Sequence, residues 1–374
     1  MFVRPSGRVA AAALALTLTG LAAPVSTATA EPTARHIPLT YAAKAQAAAS
    51  WQADQLSRGS IASPFPGFRD WGLTLDTALA LAADGNRPIK LRNVAGTIER
   101  AYYRKYATFE GDVAANAMSK VLITAKVLRK NVRDLDGRNV RLEVLRLILG
   151  PRAGREQGRV RDSGESDFSN TFGQSYAVLG LARTGGLPQS AVQYLLRQRC
   201  AAGYFRAFES VGTTCNKDES PADVDATALA LQAMIAARRS GAAVAPRLII
   251  GTAKWMAGQQ RANGSFGGGV GAAAPNTNST GLAAQALQTV GRTKAAERAA
   301  SWVALMQITP ARAGNGPARR DIGAIALNRP VLRAALRDGI TKTTRDQFRR
   351  STPQAYFALD RSSLVTLLAP RTNR

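Results

Sequence analysis

One phrase recurs in this chain, as SPADVDATALALQAM from Ser220 and as APNTNSTGLAAQAL from Ala274, each time after a loop that is rich in glycine or closed by cysteine. Laying Thr227 on Thr280 brings Ala230 onto Ala283, Gln232 onto Gln285 and Met234 onto Leu287. LTLDTALALAAD from Leu73 is a third copy, and FGQSYAVLGLARTG from Phe172 a weaker fourth. Each copy opens near Asp, Asn, Ser or Thr and runs on in Ala, Leu and other small residues. That is the start signal and the texture of a helix apolar all round, which belongs inside a helical protein.

A second kind of helix precedes each copy, more amphipathic and carrying Trp or Gln near its end: AAASWQADQL, AVQYLLRQR, IIGTAKWMAGQQ and AERAASWVALMQ. The repeat is about fifty residues long, and a two-helix unit cannot bury its own apolar face, so neighbours must stack until the array is capped or closes on itself. The spacing predicts about six pairs in two concentric layers. Outer helices are expected to begin near Ala42, Leu91, Asn139, Pro188, Val244 and Thr293, with inner partners near Thr74, Asp112, Thr171, Asp223, Thr277 and Asp321. The expected fold class is therefore all-α, a stack of helix pairs that is either capped or closed on itself. With 374 residues and 45% hydrophobic content the chain can bury this as one large domain, 42–374, ending in a basic tail.

Residues 1–30 read as a signal peptide: Arg4 and Arg8 precede an apolar stretch from Val9 to Val25, and Ala28-Thr29-Ala30 is an A-x-A cleavage site. A flexible segment, 31–41, follows. No later segment offers eighteen consecutive apolar residues, so the mature protein is expected to be secreted without a transmembrane segment. Export gives the two cysteines a meaning, and Cys200 and Cys215 are expected to form a disulfide beside Asp223 and Asp225.

The formal net charge is +25, or +23 once Arg4 and Arg8 leave with the signal, and the bases are concentrated from Arg129 to Arg161 and from Arg312 onward. An anionic cell-surface polymer or acidic lipid headgroups fit such a surface, as does the arginine excess of a high-GC genome with no partner at all. Specific nucleic-acid binding is not expected, because no nucleic-acid module or interleaved aromatic patch is present.

Taken together, WQADQLSRGSI with DWGLTLDTALALAADG, RQRCAAGYF with PADVDATALAL, and GQQRANGSFGG with NTNSTGLAAQAL resemble the prenyltransferase and squalene-oxidase repeat proteins of the terpenoid cyclase type. The Q-x3-G-S-F segment at Gln260 is similar to that family's Gln-Trp turn. The resemblance covers most of the mature chain and implies six helix pairs closed into a toroid. In class II terpene cyclases a D-x-D-D-T-A motif carries a proton donor in its middle Asp; here the text is Asp223-Val-Asp225-Ala226-Thr227-Ala228, so the resemblance implies Asp225 as general acid, with Ala226 in place of the third acid. The zinc-dependent protein prenyltransferases of the same fold need Asp, Cys and His ligands. A single His, His36, and two cysteines destined for a disulfide leave no such set, and no metal or other cofactor is expected.

Without a second His there is no Ser-His-Asp constellation in the toroid, and P-loop and thioester motifs are missing too. A secreted polysaccharide-active α/α barrel remains an alternative, with acids from Asp70, Asp76, Asp167 and Asp225. NTNSTGLAAQAL is also similar to the inner-helix phrase of the transcobalamin and intrinsic-factor carriers, which are secreted and noncatalytic and bind cobalamin, although no strand-rich C-terminal domain follows here.

The leading expectation is a noncatalytic binding protein that takes an unknown small molecule or surface component at the mouth formed by the inner-helix N-termini. Asp76, Asp223, Asp225, Asn276 and Asn278 are its expected polar contacts. Helix capping is the competing role for these residues, and for Asp112 and Asp321.

Overall fold

The computed structural model describes residues 40–217, 221–269 and 272–369. The signal-like segment, His36 and the last five residues lie outside the described residues.

Six helix pairs follow one another along the chain: α1 (Tyr41–Asp54) with α2 (Trp71–Asp84), α3 (Pro88–Tyr102) with α4 (Ala115–Val127), and α5 (Val140–Arg146) with α6 (Thr171–Thr184). Then come α7 (Gln189–Arg197) with α8 (Val224–Arg239), α9 (Pro246–Gly258) with α10 (Thr277–Thr289), and α11 (Thr293–Ala304), whose partner is reached only after two short helices, α12 (Pro310–Ala313) and α13 (Arg329–Asp338). That partner is α14 (Arg345–Asp360), and α15 (Leu364–Leu367) follows it. Helices α2, α4, α6, α8, α10 and α14 pack each on the next, and α14 returns to α2, so the inner layer is a closed ring. The fold is an α/α toroid. In α8 every residue from Ala226 to Ala237 is buried, which explains why the repeated phrase is apolar on all sides.

The sixth inner helix corrects the sequence reading. It begins at Arg345, whereas Asp321 ends a short 3₁₀ turn and uses its carboxylate to accept the Trp51 indole N–H at 2.9 Å and an Arg345 guanidinium N–H at 2.7 Å. A basic opening and Pro353 in its interior disguise α14 as an exposed terminal helix.

Four of the connections from outer to inner helices share one lock. Thr74, Thr227, Thr280 and Thr352 accept the loop N–H groups of Ile61, Phe205, Phe266 and Ile325 at 2.9–3.0 Å. Their hydroxyls also donate to the carbonyls four residues back, at 2.6–2.7 Å. In α6, Gln174 takes the N–H of Val160 at 2.8 Å. These bonds set the register, and they equate Thr227 with Thr74 rather than with Thr77, one turn away. The repeated letters TALAL have no register of their own. Between pairs, Gln260 donates to the carbonyls of Gly264 and Ala295 at 3.0 and 2.8 Å, and Gln307 donates to those of Gly323 and Lys44 at 3.1 and 2.8 Å. Each glutamine staples its own loop to the next outer helix.

The connections themselves carry two small antiparallel sheets. One joins β1 (Leu56–Ser57), β2 (Ser60–Ala62) and β3 (Arg69–Asp70) ahead of α2; the other pairs β4 (Thr108–Phe109) with β5 (Asp112–Val113) ahead of α4. Ahead of α8 lies the expected disulfide, Cys200–Cys215. It holds the segment whose Phe205 carbonyl accepts the N–H of Asp223 at 3.0 Å. A Cys200→Ser/Cys215→Ser variant is expected to lose about 3 kcal/mol in urea unfolding, the loop-closure entropy of a bridge of this span.

Candidate functional site

The inner helices all present their N-termini at the same end of the ring as the lock loops, and the first turns there decide what the mouth contains. Asp223 and Asn276 are N-caps: their Oδ1 atoms accept the N–H groups of Ala226 and Ser279, each at 2.8 Å. Both are buried, so these two expected ligand contacts serve the helices. The cap of α2 is Asp70, whose Oδ1 accepts from Leu73 at 2.8 Å, and its Oδ2 meets Arg350 of α14 at 2.6 Å.

Asp76 is a turn deeper than the caps and does not cap anything. It pairs with Lys120 of α4 at 2.7 Å, and Lys120 also donates to the Gly72 carbonyl at 3.1 Å. Burial disfavours the Lys120 ammonium, but the adjacent Asp76, with Tyr106 and Tyr176 nearby, holds its pKa above the ordinary value. Asp112 lies exposed on β5, and the N–H that it would have capped, that of Ala115, is taken by Asp162 at 2.7 Å. Asp167 pairs with Arg159 at 2.7 Å in a cluster with Glu156 and Glu209.

Two of the expected residues remain, Asp225 and Asn278. They occupy the same place on neighbouring helices, two positions beyond the cap. Each is half-buried, and each has an Oδ1 shut off from solvent without a hydrogen-bond partner among the described residues. Burial pushes the Asp225 carboxyl up to about 7; a hydrogen bond from Ser279 opposes that and the charge of Asp223 reinforces it. Gly269 packs against this carboxyl so closely that a Cβ there would lie 2.5 Å from Oδ2. The same register on the other inner helices places Gly72, Asn116, Phe172 and Arg350 around the mouth, with Asp76, Lys120, Tyr176, Leu229, Leu282 and Gln354 in the layer below. Tyr106 reaches in from the α3–α4 connection, its hydroxyl close to Gly72.

Sequence reasoning did not single out Lys120, Tyr106, Phe172, Tyr176 or Arg350. For Lys120, Phe172, Tyr176 and Arg350 the signal is positional, two residues to either side of the lock position or its equivalent on each inner helix, and it becomes readable only once the threonine register is known.

No family model and no curated protein matches the chain. Among solved structures it is similar to a protein from Actinoplanes, at 15% identity and a TM-score of 0.54, with 86% of this chain and 99% of that one covered. It is also similar to the type II terpene cyclase MstE from Scytonema, at 12% identity and a TM-score of 0.56, covering 86% and 97%. A variant of that cyclase in complex with its substrate, geranylgeranyl dihydroxybenzoate, gives 12% identity, a TM-score of 0.58 and coverage of 87% and 97%. The chain therefore shares the α/α-toroid fold of these structures.

Proposed function

We propose that this chain is an exported α/α-toroid protein that binds a small molecule in the mouth of the ring, with Asp225 and Asn278 as its polar contacts. The observation that carries the reading is the pair of unpartnered, solvent-shielded Oδ1 atoms at equivalent positions of α8 and α10. A buried polar atom left without a partner costs about 1–3 kcal/mol, and a ligand that supplies the partner recovers it. At neutral pH about half of the Asp225 carboxyl retains its proton, so it offers both an O–H donor and acceptor capacity, while Asn278 offers an acceptor and an N–H₂ donor. A ligand headgroup with both donor and acceptor functions, such as a phenol-carboxylate or an amide, suits this pair. Tyr106, Phe172, Tyr176, Leu229 and Leu282 give an apolar or aromatic surround for the rest of the molecule. Secretion is supported by the signal-like opening and by the disulfide.

A second reading, cyclase chemistry with Asp225 as the acid, is favoured by the D-x-D-A-T-A text and by the proton that burial holds on that side chain. Two features weigh on the side of binding. An acid that keeps its proton up to about pH 7 is a good hydrogen-bond donor and a weak proton donor toward an alkene. The Lys120–Asp76 pair in the lower layer puts a fixed ammonium where a cyclisation would need aromatic faces for its cations.

Incubation with a polyprenylated dihydroxybenzoate separates the two. Binding alone returns the compound unchanged in liquid chromatography–mass spectrometry. A product of identical mass and new retention time, formed by the wild type and not by Asp225→Asn, would establish the cyclase reading instead.

A further inference from the structure

Five of the eleven phenylalanines, Phe65, Phe68, Phe109, Phe168 and Phe208, are between 63 and 78% exposed. All five fall on four successive outer-to-inner connections, those leading into α2, α4, α6 and α8, and hence at the end of the ring that carries the mouth. Scattered single apolar residues are normal on a protein surface; large aromatic side chains confined to one end are not.

Three of these connections, those leading into α4, α6 and α8, are tied to one another. The Ser163 N–H donates to the Val113 carbonyl at 3.0 Å, tying the Phe168 segment to the Phe109 hairpin. The Thr171 N–H donates to the Ala207 carbonyl at 3.2 Å, tying the start of α6 to the Phe208 segment. Arg155 reaches the Gly212 carbonyl at 3.3 Å. The aromatic tips are thus held on hydrogen-bonded loops. None of the five belongs to the buried clusters beneath.

We propose that this rim docks the toroid onto an anionic lipid bilayer, with the five phenylalanines entering the headgroup region and the mouth opening toward the membrane. Separate aromatic knobs on loop tips suit a fluid surface that moulds itself around each one, whereas a protein partner needs a continuous complementary patch. The charge agrees: among the described residues these four connections expose six bases, Arg104, Lys105 and Arg155 among them, against three acids, Glu110, Asp112 and Glu165. On its described residues the face is aromatic-tipped and carries more exposed bases than acids, which are the two attractions that hold peripheral proteins on acidic lipid. No helix of the described residues is long and apolar enough to cross a membrane. The inference is independent of what the mouth binds and of Asp225.

The test is co-flotation with vesicles of mixed phosphatidylglycerol and phosphatidylcholine. Wild-type protein is expected to float with them, and a Phe109→Ser/Phe168→Ser variant to partition at least about tenfold less with an unchanged melting temperature, since both side chains are exposed. Arg104→Gln/Lys105→Gln is expected to weaken flotation several-fold at low salt, and vesicles of phosphatidylcholine alone to capture less of the wild type. Failure of the wild type to float, or full flotation of the double Phe variant, overturns the proposal. A wild type that ignores vesicles yet sediments as a dimer lost in that variant would assign the rim to self-association and overturn it equally.

Discussion

Replacing Asp225 by Asn is expected to leave stability nearly unchanged at about pH 4 and to make the protein more stable than the wild type at about pH 8, by roughly 2 kcal/mol in urea unfolding. The Asp225 carboxyl has an ordinary value of 3.8 and is pushed up to about 7 in the fold, so the folded state holds its proton more tightly than the unfolded chain does. Stability gained this way is complete below the ordinary value and is lost as pH rises through about 7, because the folded protein must then bury a carboxylate or open. A shift of three units corresponds to a ceiling of about 4 kcal/mol, which partial hydration of the mouth reduces. Asn has nearly the same shape and no charge to bury, so the variant escapes the loss. Glu209 is also pushed to about 7 by burial, but it titrates alike in both proteins, and the difference between them isolates Asp225. A difference that stays flat from acid to alkaline pH would mean that Asp225 is an ordinary ionised carboxylate.

The second large effect is expected at Gly264, in the Q-x3-G-S-F turn. Its φ is +89°, and a Cβ there would lie 2.3 Å from the Arg298 carbonyl oxygen of α11. Gly67 has a similar φ of +83° with open space around it. Gly67→Ala therefore measures the left-handed conformation alone and should cost about 1 kcal/mol. Gly264→Ala adds a clash with main-chain atoms that cannot rotate away, and should cost at least about 4 kcal/mol, enough to lower the melting temperature by several degrees or to prevent accumulation. Equal costs at the two positions would show that close packing of this turn on the next helix contributes nothing. The same contact recurs where Gly158 meets the Ser190 carbonyl and Gly323 meets that of Ala47, so the clash tests the seam between successive pairs generally.

These two sites illustrate what the sequence makes legible. The toroid is readable because burial demands apolar residues on every side of the inner helices and on one side of the outer ones, and four inner helices announce themselves that way. α14 escapes because Arg345, Arg349 and Arg350 stand at the ring's end, where Arg350 answers Asp70. Asp223 and Asn276 read equally well as caps or ligand contacts, since both roles want a short polar side chain before a helix; only the 2.8 Å bonds to Ala226 and Ser279 decide. Asp76 was drawn toward the mouth by the letters TALAL, and the Thr74 lock places it a turn lower, against Lys120. Asp225 and Asn278 stand at one position of the aligned phrase. The exposed phenylalanines carry no sequence signal: Phe168 and buried Phe205 look alike until the loops are folded.

The most direct test of the ligand-binding account is native mass spectrometry of the protein purified from its own host, with the wild type compared with an Asp225→Ala/Asn278→Leu variant that melts cooperatively. The account predicts one small molecule bound near one-to-one in the wild type and lost from the variant. A wild type that is empty, or a variant that carries the same molecule at the same occupancy, would contradict the assignment of the mouth.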